Sequence, residues 1–119
     1  MEEFIMTWKK VPEKNKKMLE KVMLDFPEAR KKMMFGSPVY FMNGYMWIGT
    51  HEDSIFIRLS EEDQKKALSQ IGITLFTPMS GRTMKGYVSL PAEIYESESN
   101  FIEWVQMSFR FVSSLPPKL

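Results

Sequence analysis

Apolar positions along the chain change their period several times, and each change predicts an element. Met18, Leu19, Val22, Met23 and Phe26 recur at steps that put them on one stripe of a helix. Pro12 suits the first turn of that helix, Lys14, Lys16, Lys17 and Lys21 occupy much of its polar side, and Pro27 ends or bends it. A shorter lead-in carries Phe4, Ile5 and Trp8 at helical spacing. Strand-like segments follow, the first two joined by Asn43-Gly44, a strong signal for a two-residue hairpin turn. This turn pairs Met42 with Tyr45, Phe41 with Met46, Tyr40 with Trp47 and Val39 with Ile48. One face of the hairpin then carries Val39, Phe41, Met46 and Ile48, and the other Tyr40, Met42, Tyr45 and Trp47. Neither face is polar.

A third strand is expected from Ile55 to Leu59, where Ile55, Ile57 and Leu59 alternate with Phe56 and Arg58. Ser60 with Asp63 three residues on resembles a capping box, and Glu61, Glu62 and Asp63 suit the positive end of a helix dipole. Gly72 is a natural terminator for this second helix. Ile73 to Thr77 and Thr83 to Leu90 predict another hairpin, turning at Ser80-Gly81 and stopped by Pro91. After a polar connection, with Ser97 or Ser99 as candidate cap, a last helix aligns Phe101, Trp104, Val105, Phe109 and Val112 and ends before Pro116-Pro117. The order helix, three strands, helix, two strands, helix predicts an α+β domain with a mainly antiparallel sheet.

The 119 residues suit a single domain, 1–119. The absence of cysteine excludes a disulfide scaffold, a thiolate nucleophile and a Cys-ligated zinc site. No apolar run approaches the roughly 18 residues of a membrane span, and Met1-Glu2-Glu3 is not a secretory start, so a cytoplasmic protein is expected. Net charge is +1; residues 1–35 hold nine Lys/Arg against six Asp/Glu, and residues 51–65 two against five. An excess of three cations is weaker than a nucleic-acid footprint, so direct nucleic-acid binding is not expected.

Three segments carry a resemblance to a known family. They are Met34-Phe35-Gly36 leading into Val39-Tyr40-Phe41-Met42-Asn43-Gly44; Phe76 to Pro91, above all Pro78-Met79, Gly81-Arg82 and Met84-Lys85-Gly86-Tyr87-Val88; and Trp104-Val105 with Ser114-Leu115-Pro116-Pro117-Lys118. In this order, across nearly the whole chain, they resemble the TfoX N-terminal domain-like family, named after the bacterial competence regulator TfoX, also called Sxy. The resemblance implies a two-layer α-β(3)-α-β(2)-α fold, here as a stand-alone domain, and a regulatory connection. Ser37 stands where the family often has a second glycine. No catalytic residues come with the resemblance.

No nucleophile–base constellation stands out: there is a single histidine, His51, and its neighbours Glu52 and Asp53 read as a polar turn rather than a metal site. Gly81-Arg82 lacks phosphate-loop spacing, and the eleven methionines read as flexible core filler. No cofactor or catalytic activity is expected. Arg58, Arg82 and Lys85 are candidates for binding an anion, against the alternative of separate surface charges. In a two-layer fold, helices cover one sheet face. The other is expected to expose Tyr40, Met42, Tyr45 and Trp47, with Phe56 and Arg58 beside them, as a docking surface for a protein partner or a second copy in a homodimer. The alternative is that the lead-in or the last helix covers these rings.

Overall fold

A computed structural model describes residues 11–34, 36–79 and 81–118. The lead-in with Phe4, Ile5 and Trp8 lies outside the described residues, as do Phe35 and Ser80. The element order is α1 (Glu13–Met23), β1 (Arg30–Met34), β2 (Ser37–Met42), β3 (Tyr45–His51), β4 (Ser54–Arg58), α2 (Glu61–Leu68), β5 (Thr74–Leu75), β6 (Tyr87–Leu90), α3 (Ala92–Tyr95) and α4 (Glu98–Ser114). The strands form one open, six-stranded antiparallel sheet in the order β1-β2-β3-β4-β6-β5. The α+β class holds. Two elements are additions to the expected order: the polar strand β1, and the one-turn helix α3 in what reads as a polar connection.

Local chemistry explains most boundaries. Asn43 and Gly44 both have positive φ, 55° and 84°, as a hairpin turn matched to strand twist requires. The Asp63 backbone N–H donates to Ser60 Oγ at 3.1 Å, so the predicted cap forms. The last hairpin is shorter in strand than its apolar pattern suggests. Only Thr74–Leu75 pairs regularly with β6, and a wide loop follows, pinched by a bridge between Met79 and Arg82.

The main core lies between the sheet and the helices. Leu19, Val22 and Met23 of α1 and Phe101, Trp104, Val105 and Val112 of α4 meet Tyr40, Met42, Trp47, Ile48, Ile55, Ile57, Val88 and Leu90. A smaller core lies on the opposite sheet face, where Val39, Phe56, Phe76 and Tyr87 are buried and Met34, Phe41, Met46 and Met84 pack partly buried around them. The Phe56 and Phe76 rings stack at 4.2 Å between centroids. Gly49 makes room for this cluster, since a Cβ there would sit 2.7 Å from Phe56 Cζ.

Two polar side chains lie within the helical layer. Asn15 occupies the buried stripe of α1 and donates through Nδ2 to the Tyr95 hydroxyl at 3.0 Å; Tyr95 donates in turn to the Asp53 carbonyl at 2.8 Å. Ser108 lies on the buried stripe of α4, accepts from Trp47 Nε1 at 2.8 Å and donates to the Arg58 carbonyl. Each hydroxyl both accepts and donates a hydrogen bond and so ties its helix to the rest of the fold.

Candidate functional site

The expected aromatic docking face is not a surface. Tyr40, Met42 and Trp47 are buried in the main core, and Trp47 is fully enclosed. The turn after α1 and the helix α4 bring the cover: Trp47 packs edge-on to Phe26 at 5.2 Å and against Phe109 at 5.8 Å. Tyr45, half-buried at the rim, donates its hydroxyl to the Pro116 carbonyl at 2.8 Å. Phe56 lies on the opposite face, in the smaller core. The assignment of faces also changes. The register runs Met42↔Tyr45, Phe41↔Met46, then Tyr40↔Ile48 and Val39↔Gly49, so Trp47 is the extra residue of a β-bulge. The bulge moves Ile48 onto the Tyr40 face and leaves Val39, Phe41 and Met46 on the other.

The three cations expected to share an anion site are built differently. Arg82 and Lys85 are exposed in the loop before β6, and no ion pair joins either to the described residues. Arg58, the last residue of β4, is the one with a constructed environment. Its guanidinium carbon lies 5.3 Å from the Tyr45 ring centroid, 5.5 Å from Tyr87 and 5.9 Å from Phe111, within the reach of cation–π attraction. Nη1 donates to the Tyr87 hydroxyl at 3.3 Å, and Tyr87 donates onward to the Met46 carbonyl at 2.7 Å. Burial holds the Tyr87 hydroxyl above its usual pKa, while the hydrogen bond and charge of Arg58 pull the other way.

Two features of this arrangement bear on binding. Arg58 Nε is buried and has no hydrogen-bond partner. Among the described residues no carboxylate forms an ion pair with Arg58. A second cation is close: Lys118 Nζ lies 5.7 Å from the same Tyr45 ring, held there because the Lys118 N–H donates to the Asn43 carbonyl at 2.8 Å. The rings come from β3, β6 and α4. A planar cation fixed by three rings, with no ion-pair partner among the described residues, is suited to an oxyanion.

The other sequence candidates resolve into structural roles. His51 packs edge-on to Phe76 at 5.3 Å, and among the described residues no cluster of three or more His, Asp or Glu could hold a metal ion. Asp63 belongs to the cap of α2. Two surface depressions are open and lie away from Arg58. One, about 510 Å³, is lined by residues that include Pro12, Asp53, Gly72, Pro91 and Tyr95. The other, about 470 Å³, is lined by Lys17, Glu20, Lys21, Met23, Leu24 and Tyr40. Among the described residues no helix is long and apolar enough to cross a membrane.

The family described as TfoX N-terminal domain matches residues 21–112, from the last turn of α1 to the last turn of α4. The match includes Arg58, Tyr45, Tyr87 and Phe111 and stops short of Lys118. No curated protein matches the chain.

Proposed function

The chain belongs to the TfoX N-terminal domain family, and on that premise we propose that it is a non-catalytic binding domain related to competence regulators, whose recognition element is Arg58. The group it takes is a carboxylate or phosphate of its partner. The observation that carries this is the Arg58 guanidinium itself, ordered by three rings and with no ion-pair partner among the described residues. An oxyanion pairs with such a guanidinium through charge-assisted hydrogen bonds, often two in parallel. Lys118 adds a second positive charge on the same side of the fold. The family supports a regulatory setting, in which the anion belongs to a protein partner.

The test is thermal unfolding with phosphate, sulfate, acetate or citrate added to the wild-type chain and to Arg58→Gln, at matched ionic strength. An anion present at ten times its Kd stabilises by about 1.4 kcal/mol, or roughly 5 °C for a chain of this size. Phosphate and sulfate acting alone point to a phosphorylated partner; acetate and citrate point to a carboxylate. Arg58→Gln abolishes the response if the proposal holds. Nuclear magnetic resonance of the Arg58 Nε–H in the wild-type chain gives a second readout that does not depend on the variant folding. No anion response, or an equal response in Arg58→Gln with an unmoved Nε–H signal, overturns the reading.

A further inference from the structure

The open sheet ends on one side at β1, whose residues Arg30, Lys31, Lys32 and Met33 are exposed. The register says which of their backbone groups face outward. Met34↔Ser37 closes a two-residue turn, and Pro38, opposite Met33, has no N–H to give. The ladder bonds therefore run through Met34↔Ser37, Lys32↔Val39 and Arg30↔Phe41, the alternate pairs of an antiparallel ladder. Lys31 and Met33 are left with their N–H and C=O directed away from the sheet, and among the described residues no strand pairs with them.

The side chains along this edge are of one sign. Arg30 and Lys32 share the face of Phe41 and Val39, and Lys32 Nζ lies 4.8 Å from the Phe41 ring centroid. Lys31 points to the helical side, where Glu20 holds it at 2.8 Å. Glu20 and Tyr40, the contact and register partners of Lys31, line the depression of about 470 Å³ that also holds Lys17, Lys21 and Leu24. Leu24 is 79% exposed there, and Met33 on the edge is 60% exposed.

We infer that the β1 edge takes an extended acidic segment of another protein as a seventh strand, by β-strand addition. The backbone of Lys31 and Met33 supplies the ladder bonds; Arg30, Lys32 and the lysines around the depression supply the charge preference. A second copy of β1 is a poor occupant. Antiparallel pairing about Lys32 sets Lys32 against itself, and shifts toward the start of the strand set Arg30 and Lys31 against their copies. The cations that deter self-pairing at an exposed edge are the ones that select an anionic strand.

The probe is a short fluorescein-labelled peptide of alternating glutamate and valine, with its lysine–valine counterpart as control, followed by anisotropy. The wild-type chain binds the acidic peptide and not the basic one, and the Lys31 and Met33 amides become protected from hydrogen exchange on binding. Met33→Pro removes an outward N–H at a position where an edge strand tolerates proline, and weakens binding about tenfold while leaving the ladder to β2 intact. Arg30→Glu with Lys32→Glu weakens it by a similar factor of about ten. Arg58→Gln leaves the Lys31 and Met33 amide protection in place, whatever carboxylate binding it removes at the site of the proposed function, and loss of that protection in Arg58→Gln overturns the inference. Absence of acidic-peptide binding overturns the inference. So does binding that Met33→Pro does not affect, because charge without a strand ladder then accounts for it. Lys31 and Met33 protection that grows with protein concentration in the absence of peptide also overturns it, in favour of a second copy. Should Met33→Pro fail to fold, amide protection in the wild-type chain decides between these outcomes.

Discussion

Ser108→Ala removes one oxygen atom and leaves two polar groups without their partner. Ser108 and Trp47 are both fully buried, and the hydroxyl accepts from Trp47 Nε1 at 2.8 Å while donating to the Arg58 carbonyl. A buried donor or acceptor stripped of its partner costs roughly 1–3 kcal/mol. The indole N–H belongs in the upper part of that range, because nothing else on α4 or β3 replaces the hydroxyl. The carbonyl belongs at the lower end, since it sits on a strand. Alanine returns about 0.5 kcal/mol as a better helix former than serine. The net destabilisation is about 2.5–3.5 kcal/mol, or roughly 10–14 °C in Tm for a domain of this length. Urea unfolding followed by circular dichroism and tryptophan fluorescence measures it. Ser113→Ala is the internal control, because that exposed hydroxyl bonds only to carbonyls of its own helix and its loss changes stability by no more than about 0.5 kcal/mol. In a Trp47→Phe background the cost of Ser108→Ala falls by about 2–3 kcal/mol, since no indole N–H needs an acceptor. A Ser108→Ala loss no larger than that of Ser113→Ala refutes the claim that this hydroxyl is what fastens α4 to the sheet.

Gly49→Ala drives a Cβ to 2.7 Å from Phe56 Cζ and 2.9 Å from Val39 Cγ2, and overpacking of this kind costs about 1–3 kcal/mol, measured by the same unfolding assay. Gly44→Ala combines a φ of +84° with a Cβ 2.8 Å from the Lys118 carbonyl oxygen; it destabilises by about 1–2 kcal/mol and speeds hydrogen exchange at the Lys118 amide, which bonds to Asn43. Burial raises the Tyr87 and Tyr40 hydroxyls above their ordinary value of 10.0, so the fold keeps the neutral phenols. Their contribution is fully present below the unfolded value and is lost as pH rises through the folded values. Urea midpoints therefore fall between about pH 9 and pH 11, and Tyr87→Phe flattens part of that fall.

The sequence's local signals were accurate where a residue acts on its own backbone. Asn43-Gly44 turned the hairpin, Ser60 capped α2, and the stripes of α1 and α4 marked the helix faces that bury. Strand β1 was illegible because an edge strand with one charged face needs no apolar alternation; Arg30-Lys31-Lys32 looks the same on a solvated helix or loop. Asn15 and Ser108 are polar residues on buried stripes, and only their partners Tyr95 and Trp47, distant in sequence, explain them. Arg58 could be named as an anion candidate from strand alternation. Its rings could not, since Phe111 stands on the last helix and Tyr45 on another strand.

The two-sided apolar hairpin is where the structure departs most from strict strand alternation, and the reason is physical. Strict alternation in β2 and β3 sorts residues correctly only while no bulge intervenes. An extra residue at Trp47 shifts every later side chain by one position, and because both faces are apolar no polar residue exposes the slip. An apolar second face is expected either to dock a partner or to lie under the lead-in or the last helix. Here the second face is apolar because it has a core of its own. Phe76, delivered by the segment beyond β5, stacks on Phe56, and Gly49 lets the two rings settle over the sheet. Two small cores back to back consume the rings that a docking surface would need. The recognition proposed for this chain rests instead on the margins of the sheet, on a guanidinium with no ion-pair partner among the described residues and on the cationic edge strand β1.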